Sequence, residues 1–289
     1  MPNKRLKRLT KAQKINMSGI LLDQALPNED FDQVDPFLLI HHMGSLLPGG
    51  QKARETGIGA HPHRGFSPVT LIIKGAIRHR DSRGNDQVVE EGGTQWMHSG
   101  MGIVHSERPA PYLAEKGGEL EIIQFWVNVP PAAKMKQPSY QPLTKENTPS
   151  GSDADGRIQW SLVAGQYQNK ISPIHTESKL LILNVSMVNT GPFSLTVPEG
   201  WNTLLYIVDG QIRMEDTVMQ SKMLAVLEND GTRISLEIDR PGRILLLSGE
   251  PIGAPVKKYG PFVMNTQTEI MTAIRDSQIG RMGILIEED

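Results

Sequence analysis

The eight histidines are spread unevenly over the 289 residues: His41, His42, His61, His63, His79, His98 and His105 lie in the first half, and His175 is the last. A site built from imidazole is therefore expected in the first half. Two short segments carry the informative spacing, Gly59-Ala60-His61-Pro62-His63-Arg64-Gly65-Phe66 and Gly100-Met101-Gly102-Ile103-Val104-His105-Ser106-Glu107. In an extended strand, residues two apart share a face, so His61 with His63 and His105 with Glu107 each form a two-pronged clamp. Neighbouring strands that bring the clamps together inside a barrel would set three imidazoles and one carboxylate around a single ion. Such a set suits a divalent or trivalent first-row metal, and with octahedral iron it leaves about two positions for water, substrate or dioxygen. Pro62 fits a strand start, bulge or edge, and Gly57, Gly59, Gly100 and Gly102 let the backbone bend nearby. A His-x-His pair also occurs as a surface pair or a satisfied turn, so spacing alone leaves both readings open.

The elements that must position these residues are short apolar runs rich in Val, Ile, Leu and Thr. They are punctuated by turn signals at Lys74-Gly75, Ser82-Arg83-Gly84-Asn85, Asp209-Gly210, Asn229-Asp230-Gly231 and Pro241-Gly242. This pattern predicts an all-β protein of two antiparallel barrels or sandwiches. Leu71-Ile72-Ile73-Lys74-Gly75-Ala76-Ile77 is echoed by Tyr206-Ile207-Val208-Asp209-Gly210-Gln211-Ile212, a faint internal repeat. A Pro-rich polar stretch after Val129 reads as a linker, which gives an N-terminal metal-binding domain over 1–135, a linker over 136–157 and a C-terminal domain without a metal site over 158–289. Near the C-terminus the period changes. Thr266-x-x-Glu269 is a capping box, Ile270, Ala273 and Ile274 follow helical spacing, and Gly280 can end the turn, so one short helix is expected to pack on the second barrel.

Composition narrows the chemistry. There are no cysteines, which excludes disulfides, thiolate catalysis, Cys-ligated zinc and iron–sulfur clusters. With 30 basic and 32 acidic side chains the net charge is -2, so no global field favours nucleic acid or an anionic membrane. Lys4, Arg5, Lys7, Arg8, Lys11 and Lys14 read as a solvated, poorly ordered start. No stretch approaches the roughly 20 apolar residues of a membrane helix, and the expected compartment is the cytoplasm. Nucleophile-elbow, P-loop, dinucleotide and His-Glu-x-x-His motifs are absent from the sequence.

The same residues resemble the pirin family of the cupin superfamily. The likeness is carried by Asp35-Pro36-Phe37-Leu38-Leu39, His61-Pro62-His63-Arg64-Gly65-Phe66, and Gln95-Trp96-Met97 through His105-Ser106-Glu107. It continues in Gln124-Phe125-Trp126-Val127-Asn128 and Tyr259-Gly260-Pro261-Phe262-Val263-Met264-Asn265-Thr266. The resemblance implies a bicupin, with two double-stranded β-helix (jelly-roll) barrels in one chain and a metal in the first. It places the metal ligands on His61, His63, His105 and Glu107. The repeat offset puts Thr196 and Pro198 where the first barrel has His61 and His63, in keeping with a metal-free second barrel. This chain departs from the family in having Ser67 where cupins often carry a glutamate, in His41-His42 where acidic residues are common, and in His98 where a small hydroxyl residue is common. The three extra histidines are expected to be structural, at the pocket mouth.

Two functions follow as expectations. One is a metal-dependent dioxygenase, similar to pirins that open the central ring of flavonols such as quercetin with O2 and release carbon monoxide. Iron is the expected metal, although nickel, manganese, copper and zinc accept the same donors. Glu107 would then be both ligand and proton acceptor, with Gln124 as an outer donor to it. The alternative is a metal-containing regulatory protein that binds a transcription factor or a metabolic enzyme without turnover.

Overall fold

The structure is a computed structural model that describes residues 2–17 and 19–287. It is mostly strand, and the strands pair antiparallel throughout both halves. The chain forms two compact units: residues up to Ile40 with Thr148–Pro251, and His41–Asn147 with the residues from Ile252 onward. The sequence suggests domains that follow one another along the chain. The units are instead interleaved, because each end of the chain adds to the unit built mainly from the opposite half.

In the first unit, Leu6–Lys11 joins a sheet whose successive strands are Met223–Leu227, Asn202–Met214, Arg233–Gly249, Leu180–Met187, Ile158–Ala164 and Ser150–Ser152. The basic run expected to be a loose start is thus a paired strand with Leu9 opposite Ala225, and Leu6 and Leu9 pack on the core. Lys4 is buried, and its ammonium donates to the Trp201 and Glu228 carbonyls at 3.1 and 2.9 Å. Inward alternation along the strands buries Trp160, Leu183, Val185, Ile207, Ile244 and Leu246 together. Each such side chain contributes about 1.5–3 kcal/mol by leaving water. Pro241-Gly242 is not a turn: it lies inside the strand Arg233–Gly249, where the pairing with Asn202–Met214 slips around Asp209. The bend places a proline at an irregularity, where its missing N–H is not needed.

The second unit holds two sheets. One runs Ile58–His63, Ile103–Pro109, Ala76–Asp81, Asp86–Glu90, and in the other Ser139–Leu143, Thr94–His98, Phe66–Lys74 and Gly118–Asn128 lie side by side. Ser139–Leu143 falls within the segment expected to be a linker, yet it pairs with Thr94–His98. The C-terminal helix Gln267–Gln278 starts at the capping box: the Glu269 N–H donates to Thr266 Oγ1 at 3.2 Å and the Thr266 N–H to Glu269 Oε2 at 2.8 Å. Its apolar side, Ile270 and Ala273, packs with Phe262, Met264 and Met282, and Val104 lies against the same cluster. The helix therefore belongs to the histidine-bearing unit, not to the second barrel as its position in the sequence suggests. A further one-turn helix, Pro111–Lys116, has no sequence signature beyond Pro111 at its first position.

Candidate metal centre

His61 and His63 lie on Ile58–His63 and His105 on Ile103–Pro109, and antiparallel pairing puts His105 opposite His61. One nitrogen of each ring falls within 4.8 Å of the others. His61 Nε2 is 3.0 Å from His63 Nε2 and 3.0 Å from His105 Nε2. Two nitrogens bonded at right angles to one cation at about 2.1 Å are about 3.0 Å apart, so the spacing fits a shared ion. The remaining ring nitrogens support this. His61 Nδ1 donates to the Gly59 carbonyl at 2.8 Å and His63 Nδ1 to the Pro261 carbonyl at 3.4 Å, which leaves both Nε2 atoms as bare lone pairs facing each other. Without a cation that arrangement is repulsive. Among the described residues, this is the one group of three histidine or carboxylate donors close enough to hold a metal.

Glu107, the fourth expected ligand, is buried on the same strand as His105 but is not in that group. Its carboxylate crosses to the facing sheet. Oε1 accepts from Thr70 Oγ1 at 2.7 Å and Oε2 from Gln124 Nε2 at 2.7 Å. Gln124 is itself oriented by the Trp126 indole, which donates to its Oε1 at 3.2 Å. Thr70 and Gln124 sit opposite each other in the sheet, so two adjacent strands hold one carboxylate. His41, His42 and His98 lie outside the three-histidine group. His42 Nε2 lies 2.8 Å from Glu121 Oε1, and His98 Nδ1 lies 3.4 Å from Ser67 Oγ, the residue in the place of the usual cupin glutamate.

The turn after His63 is clamped from several sides. Arg64 Nε donates to the Met101 carbonyl at 2.7 Å, and its Nη1 pairs with Asp276 of the C-terminal helix at 3.0 Å. Buried Lys134 donates to the Gly65 and Val263 carbonyls at 2.7 and 3.0 Å and to Asn128 Oδ1 at 2.7 Å. The Arg64 N–H reaches the Pro261 carbonyl, and the Val263 N–H reaches the Arg64 carbonyl at 3.0 Å. The block beginning at Tyr259 thus packs on a histidine motif some two hundred residues earlier. Gly65 has φ 88°, and a Cβ there would stand 2.1 Å from the Val263 carbonyl oxygen. Gly65→Ala is expected to destabilise the protein by about 3 kcal/mol in urea unfolding, from left-handed strain plus the clash. A loss under about 1 kcal/mol would contradict this packing.

Burial disfavours charge on these rings. It pushes His63 well below the ordinary histidine value, helped by the neighbouring His61 and opposed by the Pro261 carbonyl. His105 is pushed down the same way, by burial and then by His61, His63 and His79. Burial also lowers His41 to about 4. Groups whose folded values are depressed bind protons more readily when unfolded, so they oppose folding once pH falls below the unfolded value near 6.5. Metal-free protein is therefore expected to melt at lower temperature as pH drops from 7 towards 4. A melting temperature constant over that window would contradict the neutral, buried rings.

Comparison with known proteins agrees with this architecture. A family model described as Pirin matches residues 19–127, and one described as Pirin C-terminal cupin domain matches residues 182–283. A Pseudomonas aeruginosa protein named "Putative quercetin 2,3-dioxygenase" is 35% identical over 249 residues, covering 86% of this chain and 86% of its own. A pirin-like protein of Solanum lycopersicum is 33% identical, covering 92% of this chain and 88% of its own. A crystal structure of quercetin 2,3-dioxygenase from Acinetobacter baumannii superposes with TM-score 0.92 at 31% identity, covering 99% of this chain and 100% of that one. The two-barrel fold with a short C-terminal helix, the histidine clamps and these matches over most of the sequence have one common meaning: the chain belongs to the pirin family.

Proposed function

We propose that this pirin is a metal-dependent dioxygenase that acts on flavonol-like substrates such as quercetin with O2. The observation that carries the proposal is the convergence of three imidazole nitrogens, two of them on rings whose far nitrogens are already tied to backbone carbonyls. His61, His63 and His105 would hold the ion, and Glu107 would complete the set by turning one carboxylate oxygen from Thr70 or Gln124 toward it. A bound first-row metal supplies a Lewis acid that favours the anion of the substrate's 3-hydroxyl and a place where substrate and O2 meet. The chain's own residues do the rest. Thr70 and Gln124 aim the Glu107 carboxylate, since each donates to one of its oxygens. Glu107 then takes the 3-hydroxyl proton, a task Ser67 cannot perform without a base. The half-buried Trp126 ring, 5.4 Å from His63 and backed by the buried Phe66, gives an aromatic face on which a flat polyphenol can lie. Iron is the metal expected first, and nickel, manganese, copper and zinc suit the same nitrogen and oxygen donors.

Protein loaded with iron, nickel or manganese and mixed with quercetin in air is expected to consume oxygen and release carbon monoxide. Glu107→Gln, which keeps shape but loses the proton acceptor, is expected to lower turnover by about 100-fold or more. A protein that holds metal yet leaves quercetin and oxygen unchanged with every metal tried would overturn the proposal.

A further inference from the structure

We propose that His79 and Asp81 are positioning residues of the metal centre, forming with His105 a buried Asp–His–His chain that fixes which nitrogen of His105 faces the ion. The inference rests on the metal-centre reading and assigns work to two residues that reading leaves idle. His61 and His63 have their Nδ1 atoms on backbone carbonyls. His105 differs. Its Nδ1 stands 3.5 Å from His79 Nδ1, a long contact between two like atoms of which one must be the donor.

Asp81 decides which. His79 Nε2 lies 3.0 Å from Asp81 Oδ2. An ionised carboxylate accepts only, so His79 Nε2 carries the hydrogen and, in the neutral ring, His79 Nδ1 carries a lone pair. The hydrogen between the two rings then belongs to His105 Nδ1, and His105 Nε2 is left bare beside His61 Nε2. The carboxylate at the end of the chain is itself firmly held. Its Oδ1 accepts the Arg83 and Asn85 N–H groups at 2.8 and 3.1 Å, and its Oδ2 accepts Asn85 Nδ2 at 2.7 Å. Burial works against its charge, but the hydrogen bonds from His79, Asn85 and Arg83 outweigh it and keep Asp81 below the usual carboxylate range. The His79 ring is fixed in plane by Tyr140, stacked at 3.9 Å with 3° between the rings.

Strand register produces this arrangement. In the pairing of Ala76–Asp81 with Ile103–Pro109, Asp81 lies opposite His105 and His79 opposite Glu107. One strand supplies His105, and its neighbour supplies the His79–Asp81 pair at two-residue spacing. Orienting partners of this kind typically matter 10–100-fold to metal affinity, roughly speaking. A pair that merely supports the turn at Ser82-Arg83-Gly84-Asn85 has no such consequence, because the turn does not depend on where the ring hydrogens sit.

Asp81→Asn separates the two roles. The amide oxygen can still serve the Arg83 and Asn85 N–H groups, while the amide NH2 donates to His79 Nε2 and the Asn85 side-chain amide turns over to present its oxygen instead of its NH2. That reverses every hydrogen along the chain and puts one on His105 Nε2. His79→Phe keeps a ring against Tyr140 and removes both nitrogens. Metal-free full-length wild type, Asp81→Asn and His79→Phe are to be titrated with Co(II), reading affinity by calorimetry and coordination by the visible absorption of the bound ion, with circular dichroism as the check on folding. Both variants are expected to bind about 10–100-fold more weakly, and Asp81→Asn to show a changed Co(II) spectrum. Should Asp81→Asn fail to fold, His79→Phe decides. Wild-type affinity and spectrum in either folded variant would overturn the chain and leave the metal centre standing. Absence of Co(II) binding by wild type itself would bring down both.

Discussion

His61→Ala is expected to abolish stoichiometric metal binding while leaving a folded protein. His61 Nε2 is the nitrogen that stands 3.0 Å from each of the other two, so its loss removes the common neighbour of the set. Losing an outer hydrogen-bond partner of a ligand already costs about 10–100-fold in affinity, so losing a ligand outright should exceed 100-fold, roughly. The fold should not suffer, since His61 is less buried than its two neighbours and its bare Nε2 faces theirs without a hydrogen between them. Metal-free His61→Ala should therefore melt no lower than metal-free wild type. Metal content by elemental analysis and a pair of melting curves check both parts. A folded variant that retains one equivalent of metal would show that the ligand assignment is wrong.

Asp276→Ala is expected to give the largest loss of stability of any single change considered. Arg64 is buried, and its Nη1 pairs with Asp276 Oδ2 at 3.0 Å. Removing the carboxylate strands the guanidinium away from water, which costs about 3–5 kcal/mol, whereas the intact pair contributes far less. Arg281 and Arg275 also reach Asp276, at 3.2 and 3.5 Å, but both are exposed and can turn to solvent. Arg64 directly follows His63, so loosening it should also weaken the hold of the Pro261 carbonyl on that ring. The expected signature is a large drop in unfolding free energy together with weaker metal binding. A loss below about 1 kcal/mol would mean the ion pair is incidental.

The histidine cluster is legible in the sequence because strand geometry is simple: period two puts His61 with His63, and His105 with Glu107, on one strand face each, although the Glu107 carboxylate ends on Thr70 and Gln124 and not beside the three nitrogens. The capping box at Thr266 and Glu269 is equally local, and it marks the helix start correctly. What escapes sequence reading is long-range. Nothing near Thr266 says that the helix will pack beside Val104, or that Leu6–Lys11 will pair with Met223–Leu227. Proline-rich composition suggests a linker around Ser139–Leu143, but a strand at the end of a sheet tolerates Pro142. Thr70, Lys134 and Tyr140 carry no motif; only the folded chain shows that they hold Glu107, the Gly65 turn and His79. His79 and Asp81 could have been found, since they repeat the two-residue spacing used for the clamps. The domain boundaries were obscured for a related reason, because an exchange of chain ends leaves no local trace. No described helix is long and apolar enough to cross a membrane.

Crystals of the full chain soaked with nickel or iron and measured at that element's absorption edge test the metal centre most directly. The expected result is one anomalous peak within bonding distance of the Nε2 atoms of His61, His63 and His105. A map with no peak there, or with its strongest peak in the unit containing Thr148–Pro251, would contradict it.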